Sequence, residues 1–264
     1  MRKAAAIALA LSGLAAAPAP AQEASGDARI VTVGAGIQTY PRYPGARTQR
    51  TGPLPSFELA RPGDPLRFKA PDQGIGFGLL GRRSAVNVGP AVQWEYSRRA
   101  GRDVPAGLPG VGFSFEAGGF VQAMLGENFR VRAEGRKGLG GHKGAVLDLS
   151  ADAMLRAPGD STLFSIGPRL RLSDRRYQRA YFGVPAPVAG LPAFSPDGGV
   201  HAAGVWSSVR QRLGGPWGLY AYAGYDRLIG DAGRSPLVRS YGRRNQLSGG
   251  LALTYSFRVR LPRR

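Results

Sequence analysis

Apolar and polar residues alternate strictly along several long stretches of this chain. Between residues 247 and 257 the odd positions are nearly all apolar, and the even positions carry small or polar side chains. Residues 145–156 repeat the pattern, with Leu147 and Leu149 on one face and Asp148 on the other. Successive side chains of a β-strand point to opposite faces, so this alternation predicts strands with one apolar and one polar face.

The alternating runs are longer than most strands of soluble proteins. Each covers roughly 10 to 13 residues, whereas the usual soluble strand has about five or six. A tilted strand needs about 9 to 11 residues to cross the hydrocarbon core of a bilayer. The runs therefore favour membrane-spanning strands. The alternative is a water-soluble β-sandwich, whose strands also alternate apolar and polar residues. Because backbone groups in hydrocarbon need partners within the protein, the predicted fold is a closed, all-β, antiparallel, up-and-down transmembrane barrel.

The pattern predicts about twelve strands, with ten or eleven as the alternative because the second to fourth strands are the weakest. From the fourth strand onward, tight turns alternate mostly with the long segments 97–110, 173–198 and 230–244. Short periplasmic turns and longer external loops are typical of outer-membrane barrels. The predicted strands are 28–40, 53–60, 65–70, 73–80, 85–96, 111–124, 128–138, 144–157, 161–172, 199–212, 216–229 and 245–257.

The first 21 residues have the pattern of a secretory signal peptide. Arg2 and Lys3 precede an apolar run over residues 4–17, and small residues follow around Ala21. The run is shorter than the roughly 20 residues that a membrane-anchoring helix needs. We therefore predict a cleaved signal peptide (1–21), an outer-membrane barrel (22–257) of a Gram-negative bacterium and a basic C-terminal tail (258–264).

The polar faces of neighbouring predicted strands carry opposite charges. If alternate residues face the lumen, acidic and basic side chains of adjacent antiparallel strands come side by side. One interpretation is a charged pore that conducts small polar solutes; the other is a ladder of ion pairs that fills a narrow lumen. The predicted charge ladder consists of Glu95, Glu116, Arg130, Arg132, Glu134, Arg136, Asp148, Asp152, Arg169 and Arg171.

The chain is strongly basic, with 36 Lys and Arg against 17 Asp and Glu and a formal net charge of +19. Much of this charge lies in predicted loops and turns, for example at Arg42, Arg98, Arg175 and Arg243. Such a charge is typical of nucleic-acid binding, but the signal peptide and the barrel pattern argue against a nucleic-acid partner. The predicted partners are outer-membrane lipid and the phosphates of lipopolysaccharide, with a simple solvated surface as the alternative.

Residue types needed for catalysis are scarce. The chain has no cysteine and only two histidines, His142 and His201, and neither has the spacing of a Ser-His-acid arrangement. The sequence has no nucleophile-elbow or phosphate-loop motif, and no dinucleotide-binding fingerprint follows a predicted strand. We therefore predict a protein that is not an enzyme and needs neither cofactor nor metal.

Several loop motifs carry a family resemblance that spans the predicted mature chain. The strings Tyr40-Pro41-Arg42-Tyr43-Pro44-Gly45, Gly89-Pro90, Tyr181-Phe182-Gly183-Val184, Gly190-Leu191-Pro192-Ala193-Phe194, Pro196-Asp197-Gly198-Gly199, Ile229-Gly230-Asp231-Ala232, Ser235-Pro236-Leu237-Val238 and Arg244-Asn245-Gln246-Leu247-Ser248-Gly249-Gly250 occur in this order. In order and spacing they resemble the MipA/OmpV family of outer-membrane proteins.

The resemblance implies a non-enzymatic scaffold that links a lytic transglycosylase and a bifunctional penicillin-binding protein in peptidoglycan synthesis. Other members of the family are described as adhesins or as porin-like proteins, and these remain the alternatives. The chain departs from the usual barrel ending, because Phe257 is followed by seven more residues, four of them arginine.

Overall fold

A computed structural model describes residues 27–81 and 84–261, so the predicted signal peptide lies outside the described residues. One antiparallel sheet of twelve strands dominates the fold. The strands are β1 (Asp27–Pro41), β2 (Gln49–Pro53), β3 (Ser56–Ala60), β4 (Ile75–Gly76), β5 (Val86–Glu95), β6 (Ser114–Leu125), β7 (Phe129–Gly140), β8 (Ala145–Arg156), β9 (Thr162–Ser173), β10 (Gly199–Gly214), β11 (Trp217–Leu228) and β12 (Asn245–Leu261).

From β4 to β12, each strand pairs with the next one along the chain, and β12 then pairs with β1 along nearly its whole length. The sheet thus curls until the two ends of the described chain meet, with Asp27 opposite Leu261. β2 and β3 both pair with β1 and follow one another along it, separated where Pro53 and Pro55 supply no backbone N–H. The all-β, up-and-down barrel prediction is confirmed.

Connections of different length collect at the two ends of the barrel. The tight turns 126–128, 157–161 and 215–216 lie at one end, which we call the turn end. The predicted turn 81–84 includes residues 82 and 83, which are outside the described part of the chain. The opposite end, the loop end, carries residues 42–48, 96–113, 141–144, 174–198 and 229–244. Because short turns of such barrels are periplasmic, the turn end faces the periplasm.

Large apolar side chains cover the outside of the barrel. Phe57 is 72% exposed and Leu155 is 65% exposed, and similar residues recur at alternate positions on almost every strand. Soluble monomers rarely expose so much contiguous apolar surface, whereas a barrel in lipid requires it. Trp217 and Tyr255 pack edge to face near the turn end, with ring centroids 4.9 Å apart. This position suits the aromatic girdle of a membrane interface.

The predicted strand 65–70 is wrong. Pro65 and Pro71 have no N–H to donate, which disfavours a place in a sheet ladder, and Gly63 turns the chain with a φ of 84°. Residues 61–74, which we call the lumenal segment, instead run through the inside of the barrel. The predicted strand 73–80 is reduced to the two residues of β4.

The closed backbone ladder expected from the sequence is also interrupted. Within residues 27–81 and 84–261, no ladder joins β3 to β4, so the sheet has a seam there. Side chains bridge this seam near the loop end. The rings of Tyr40 and Tyr96 stack with centroids 6.1 Å apart, and the guanidinium of Arg50 lies 4.0 Å from the Tyr96 centroid.

Three short helices lie at the loop end, where the sequence predicted only loops: α1 (Arg175–Phe182), α2 (Gly230–Arg234) and α3 (Pro236–Ser240). Asp174 caps α1 by accepting a hydrogen bond from the backbone N–H of Tyr177. No helix in the described ranges is both long and apolar enough to cross a membrane. β12 continues to Leu261, four residues beyond Phe257, where the sequence predicted the barrel to end.

Candidate functional site

The inner wall of the barrel is built from charged side chains. On β7, Arg130, Arg132, Glu134 and Arg136 are buried, and the residues between them point outward. This follows from the two-residue period of a strand, which sends every second side chain of β7 into the lumen. The same period turns the charged residues of β8 and β9 inward. Charges that could not face lipid therefore face each other.

Arg136 joins the acidic side chains of three strands. Its Nε lies 2.9 Å from Glu116 Oε2 on β6, and its Nη2 lies 2.6 Å from Asp148 Oδ2 on β8. It also pairs with Glu134 on its own strand, and Glu134 pairs in turn with Arg132. A planar guanidinium with five N–H donors can hold several carboxylates at once, which a lysine ammonium does less well. Arg136 is thus the centre of the ion pairs near the loop end.

A second group of ion pairs continues from Asp148 toward the turn end. Arg171 contacts Asp148 at 3.4 Å and Asp72 at 3.1 Å. Asp72 Oδ2 also lies 2.9 Å from Nε of Arg169, whose Nη2 is 2.8 Å from Asp152. Arg130 contacts the other oxygen of Asp152 at 2.7 Å. One connected chain of ion pairs therefore runs from Arg132 to Arg130.

The structure brings nine of the ten predicted ladder residues into this network. Glu95 is the remaining one: it lines a cavity near Glu116, and among the described residues no cation lies within 4 Å of it. The sequence reasoning missed Asp72 and Asp226, which both pair with Arg171. Extending the alternation along β11 would have placed Asp226 inside, whereas no local pattern assigns Asp72 to the lumen.

The lumenal segment is fixed to the inner wall along its length. At the turn end, Arg156 donates to the carbonyl of Leu66 at 2.7 Å, and higher up Phe68 packs under the guanidinium of Arg130 at 4.5 Å. Asp72 binds Arg169, and Gln73 accepts a hydrogen bond from Arg130. The segment thus occupies space that a channel would need.

Gly74 ends the lumenal segment at a position with no room for a side chain. Its N–H donates to Glu134 Oε1 at 3.1 Å. A Cβ at this position would stand 2.5 Å from that oxygen and 2.9 Å from the carbonyl oxygen of Val92. Only glycine therefore allows the backbone to approach the wall this closely.

Neither histidine belongs to a Ser-His-acid arrangement among the described residues. His142 accepts from the N–H of Gly144 at Nδ1, so Nε2 carries the proton and donates to Glu116 at 3.0 Å. Both ring nitrogens are occupied, and none remains for a serine. His201 lies 3.0 Å from Ser173 Oγ, but no carboxylate of the described residues hydrogen-bonds to its other nitrogen.

The loops at the loop end pack into a compact cap. Tyr177, Tyr181 and Phe182 of α1 are buried against Leu237 and Val238 of α3, together with apolar residues from the other loops. Burial raises the pKa of the Tyr177 hydroxyl well above its usual range, because the phenolate would lose its hydration. The loops that the sequence predicted as long are therefore ordered by a hydrophobic core.

Arg98 holds this cap together from inside. Only 1% of the residue is exposed, and its guanidinium donates to the carbonyls of Tyr181, Ala180 and Pro109 at 2.7 to 3.0 Å. Burial lowers its pKa, because the charged form loses hydration. The expectation that Arg98 presents its charge to lipopolysaccharide is wrong.

Arg98→Ala is expected to open the cap, because three carbonyl groups lose their donor at once. The measurement is limited proteolysis of the folded barrel, with cleavage inside 174–198 rising several-fold. Arg99→Ala is the matched control, since Arg99 is exposed beside the same site. Equal cleavage of both variants would contradict the role given to Arg98.

The alternating strands, the apolar outer belt and the charged interior define an integral β-barrel protein of the Gram-negative outer membrane, with its own chain occupying the lumen. The model of one protein family, MltA-interacting protein MipA, matches residues 33–257. The chain belongs to this family. Family and fold together support a non-enzymatic barrel protein.

Solved barrels that resemble the chain do so at a low level. The outer-membrane protein OmpT of Vibrio cholerae is 8% identical, with coverage of 89% of this chain and 100% of the other and a TM-score of 0.40. The channel DcaP of Acinetobacter baumannii is 8% identical, with coverage of 89% and 99% and a TM-score of 0.39. A search of curated proteins found no match. No function is transferred from these structures.

Proposed function

We propose that this protein is a non-conducting scaffold of the outer membrane that binds a lytic transglycosylase at its periplasmic face and links it to a penicillin-binding protein. One observation carries the proposal: the lumenal segment occupies the interior and is bound there by ion pairs and hydrogen bonds, which favours a binding role over transport. The family description, which names an interaction with MltA, supports the partner class.

The turn end offers a basic surface for such a partner. Arg61 is the first residue of the lumenal segment, and Arg258 and Arg260 lie near the end of β12; all three are exposed. Because the turn end is periplasmic, these arginines meet proteins of the periplasm rather than external ligands. Exposed charges of one sign speed the encounter with an acidic partner and select it over basic ones. We infer an acidic docking surface on the transglycosylase.

The test is capture of a purified lytic transglycosylase of the MltA type on the folded barrel in mild detergent. Replacing Arg61, Arg258 and Arg260 together by Glu is expected to reduce capture at least tenfold and to remove its dependence on salt. The control replaces Arg176, Arg179 and Arg239, which are exposed at the loop end, by Glu. Equal loss in both triple variants, or no capture by the unaltered protein, would contradict the scaffold.

The alternative function is a porin-like channel for small polar solutes. Planar-bilayer recordings separate the two functions, because a filled lumen passes no resolved current. Open-channel steps with the unaltered protein would favour the channel.

At the loop end, we propose that exposed arginines such as Arg176 and Arg239 contact lipopolysaccharide phosphates, to which guanidinium groups bind well.

A further inference from the structure

The two strands that border the seam run in the same direction. β3 leads from the loop-end side of β1 down to the turn end, and β4, which is antiparallel to β5, also leads toward the turn end. All pairs within the described sheet are antiparallel. Direct pairing of β3 with β4 would therefore introduce one parallel pair, whereas a single strand rising from the turn end would be antiparallel to both.

The number of strand positions in the wall is also one short. β2 and β3 lie in one line beside β1, so the twelve strands occupy only eleven positions. Single-chain barrels of the bacterial outer membrane have an even number of strands. The seam lies in the apolar belt, since Phe57 and Phe77 on its two sides are 72% and 66% exposed. Unpaired backbone groups are costly there, because hydrocarbon offers them no partner.

Alternate residues of both edges direct their backbone groups into the seam. Leu54 N–H donates to β1, so the even-numbered residues of this line bond to β1, and Phe57 and Leu59 face the seam. Leu79, just beyond β4, donates to β5, so Gly76 faces the seam from the other side. Each edge therefore presents the half-ladder that an antiparallel strand would complete.

The lumenal segment connects these two edges and has the turns of a strand that lies between them. Residues 65–70 rise from the turn end, and a reverse turn stands at each end of them. In the first turn, Asp64 N–H donates to the carbonyl of Arg61 at 3.0 Å; in the second, Gln73 N–H donates to that of Ala70 at 3.4 Å. Tight turns of this kind join neighbouring antiparallel strands.

These turns also fix the register that residues 65–70 would take in the seam, because turn length sets strand register. Counting back from the turn at 61–64 places Phe68 opposite Phe57. Counting from the turn at 70–73 places Phe68 opposite Ile75. Phe57 and Ile75 both point to the lipid, so the side chain of Phe68 would join them on the apolar face.

The other face of the same register is polar and points inward. Arg67 comes to lie opposite Glu58, which faces the lumen and pairs there with Arg210. Pro65 and Pro71, which weaken any ladder, fall at tolerated positions: Pro65 is the first residue after a turn, and Pro71 lies within one. Faces, charge and turns thus all fit one strand.

We propose that residues 65–70 are an exchangeable strand, which occupies the lumen in the structure and can insert into the seam between β3 and β4. Insertion completes a wall of twelve antiparallel positions and takes the segment out of the lumen. Ion pairs of Asp72 with Arg169 and Arg171 hold the lumenal position. A second copy of the barrel, upright in the same membrane, cannot replace this strand, because its edges also run toward the periplasm. The scaffold function does not require the exchange.

Disulfide trapping in proteoliposomes tests the exchange, because the chain has no cysteine of its own. Phe57→Cys combined with Phe68→Cys is expected to form a disulfide under a membrane-permeant oxidant. Opposite residues of paired strands lie about 4.5 to 5.5 Å apart, which a disulfide spans. In the lumenal position Phe57 faces lipid while Phe68 lies against Arg130 inside the wall, so this bridge cannot form. Mass spectrometry of tryptic peptides measures its yield.

The matched control combines Phe57→Cys with Ile75→Cys. An inserted strand keeps these two residues about 10 Å apart, beyond the reach of a disulfide. The Phe57–Phe68 bridge is expected in at least fivefold higher yield than the control bridge. Leu59→Cys with Leu66→Cys tests the same register if the first pair fails to fold, as judged by heat-modifiable gel migration.

Folded variants of both test pairs that stay unbridged would overturn the proposal. So would efficient bridging of the control pair, because it would show that the two edges of the seam meet directly. Transglycosylase capture is a separate readout, so the scaffold and the exchangeable strand fail independently.

Discussion

Arg136→Ala is expected to lower the free energy of unfolding by about 3 to 5 kcal/mol, which is the usual cost of removing one partner from a buried ion pair. Arg136 is buried and bridges Glu116, Glu134 and Asp148. Its removal leaves three carboxylates crowded in the lumen with little water. Arg136→Lys restores the charge without the planar fork and is expected to recover only part of the loss.

The measurement is urea unfolding of the barrel in detergent micelles, followed by intrinsic fluorescence and by heat-modifiable gel migration. Arg175→Ala is the control, since Arg175 pairs with Asp197 at 2.8 Å but is 61% exposed. Exposed pairs contribute about 0 to 1 kcal/mol, so the control should unfold nearly as the unaltered protein does. Similar midpoints for Arg136→Ala and the control would show that the network does not stabilise the barrel.

Replacing residues 64–73 by a Gly-Ser segment of equal length is expected to convert the barrel into an ion channel. The replacement removes Leu66, Phe68 and Asp72, which fix the lumenal segment to the wall. Planar-bilayer recording is the measurement, and resolved single-channel steps should replace a silent baseline. Barrels near this strand number are wide enough for either outcome, so the segment itself decides.

The control is an equal-length Gly-Ser replacement of residues 185–194, which lie at the loop end and outside the lumen. This variant is expected to stay silent. If the lumenal replacement folds and also stays silent, the ion pairs of the wall or the cap close the interior on their own. That result would assign the block to the ion pairs of the wall or to the cap rather than to the segment.

The sequence allowed the strands and faces of β5 to β12 to be predicted because their signal is local. On β7, for example, Arg130 and Arg132 alternate with Val131 and Ala133, and the two-residue period alone sends the arginines inside. Register between neighbours then follows from short turns. The pairing of Arg130 with Asp152 could therefore be predicted from the strand pattern and the short turn between β7 and β8.

The lumenal segment could not be predicted in the same way. An extended stretch such as 65–70 has similar local geometry inside a barrel and in a ladder, and only the missing N–H groups of Pro65 and Pro71 argued against a strand. Asp72 gains its role from Arg169 and Arg171, nearly a hundred residues away. Contacts of that range leave no periodic trace in the sequence.

The helices of the cap escaped prediction for a different reason. α2 and α3 have five residues each, too few to be stable as isolated helices. They form because the cap buries Ala232, Leu237 and Val238. Such helices depend on tertiary packing. The Gly and Pro residues around them correctly indicated a connection between strands, but they gave no sign of the helices within it.

The ladder between β1 and β12 constrains the order in which the protein can be made. The backbone groups on one edge of β1 stay unpaired until β12 has been synthesised. The two strands are more than two hundred residues apart in the chain, as the pairing of Asp27 with Leu261 shows. Loop-closure entropy makes such distant pairing slow, and unpaired strand edges aggregate. The unfolded polypeptide must therefore be kept from aggregating with other chains on its way to the membrane, until β12 is available to pair with β1.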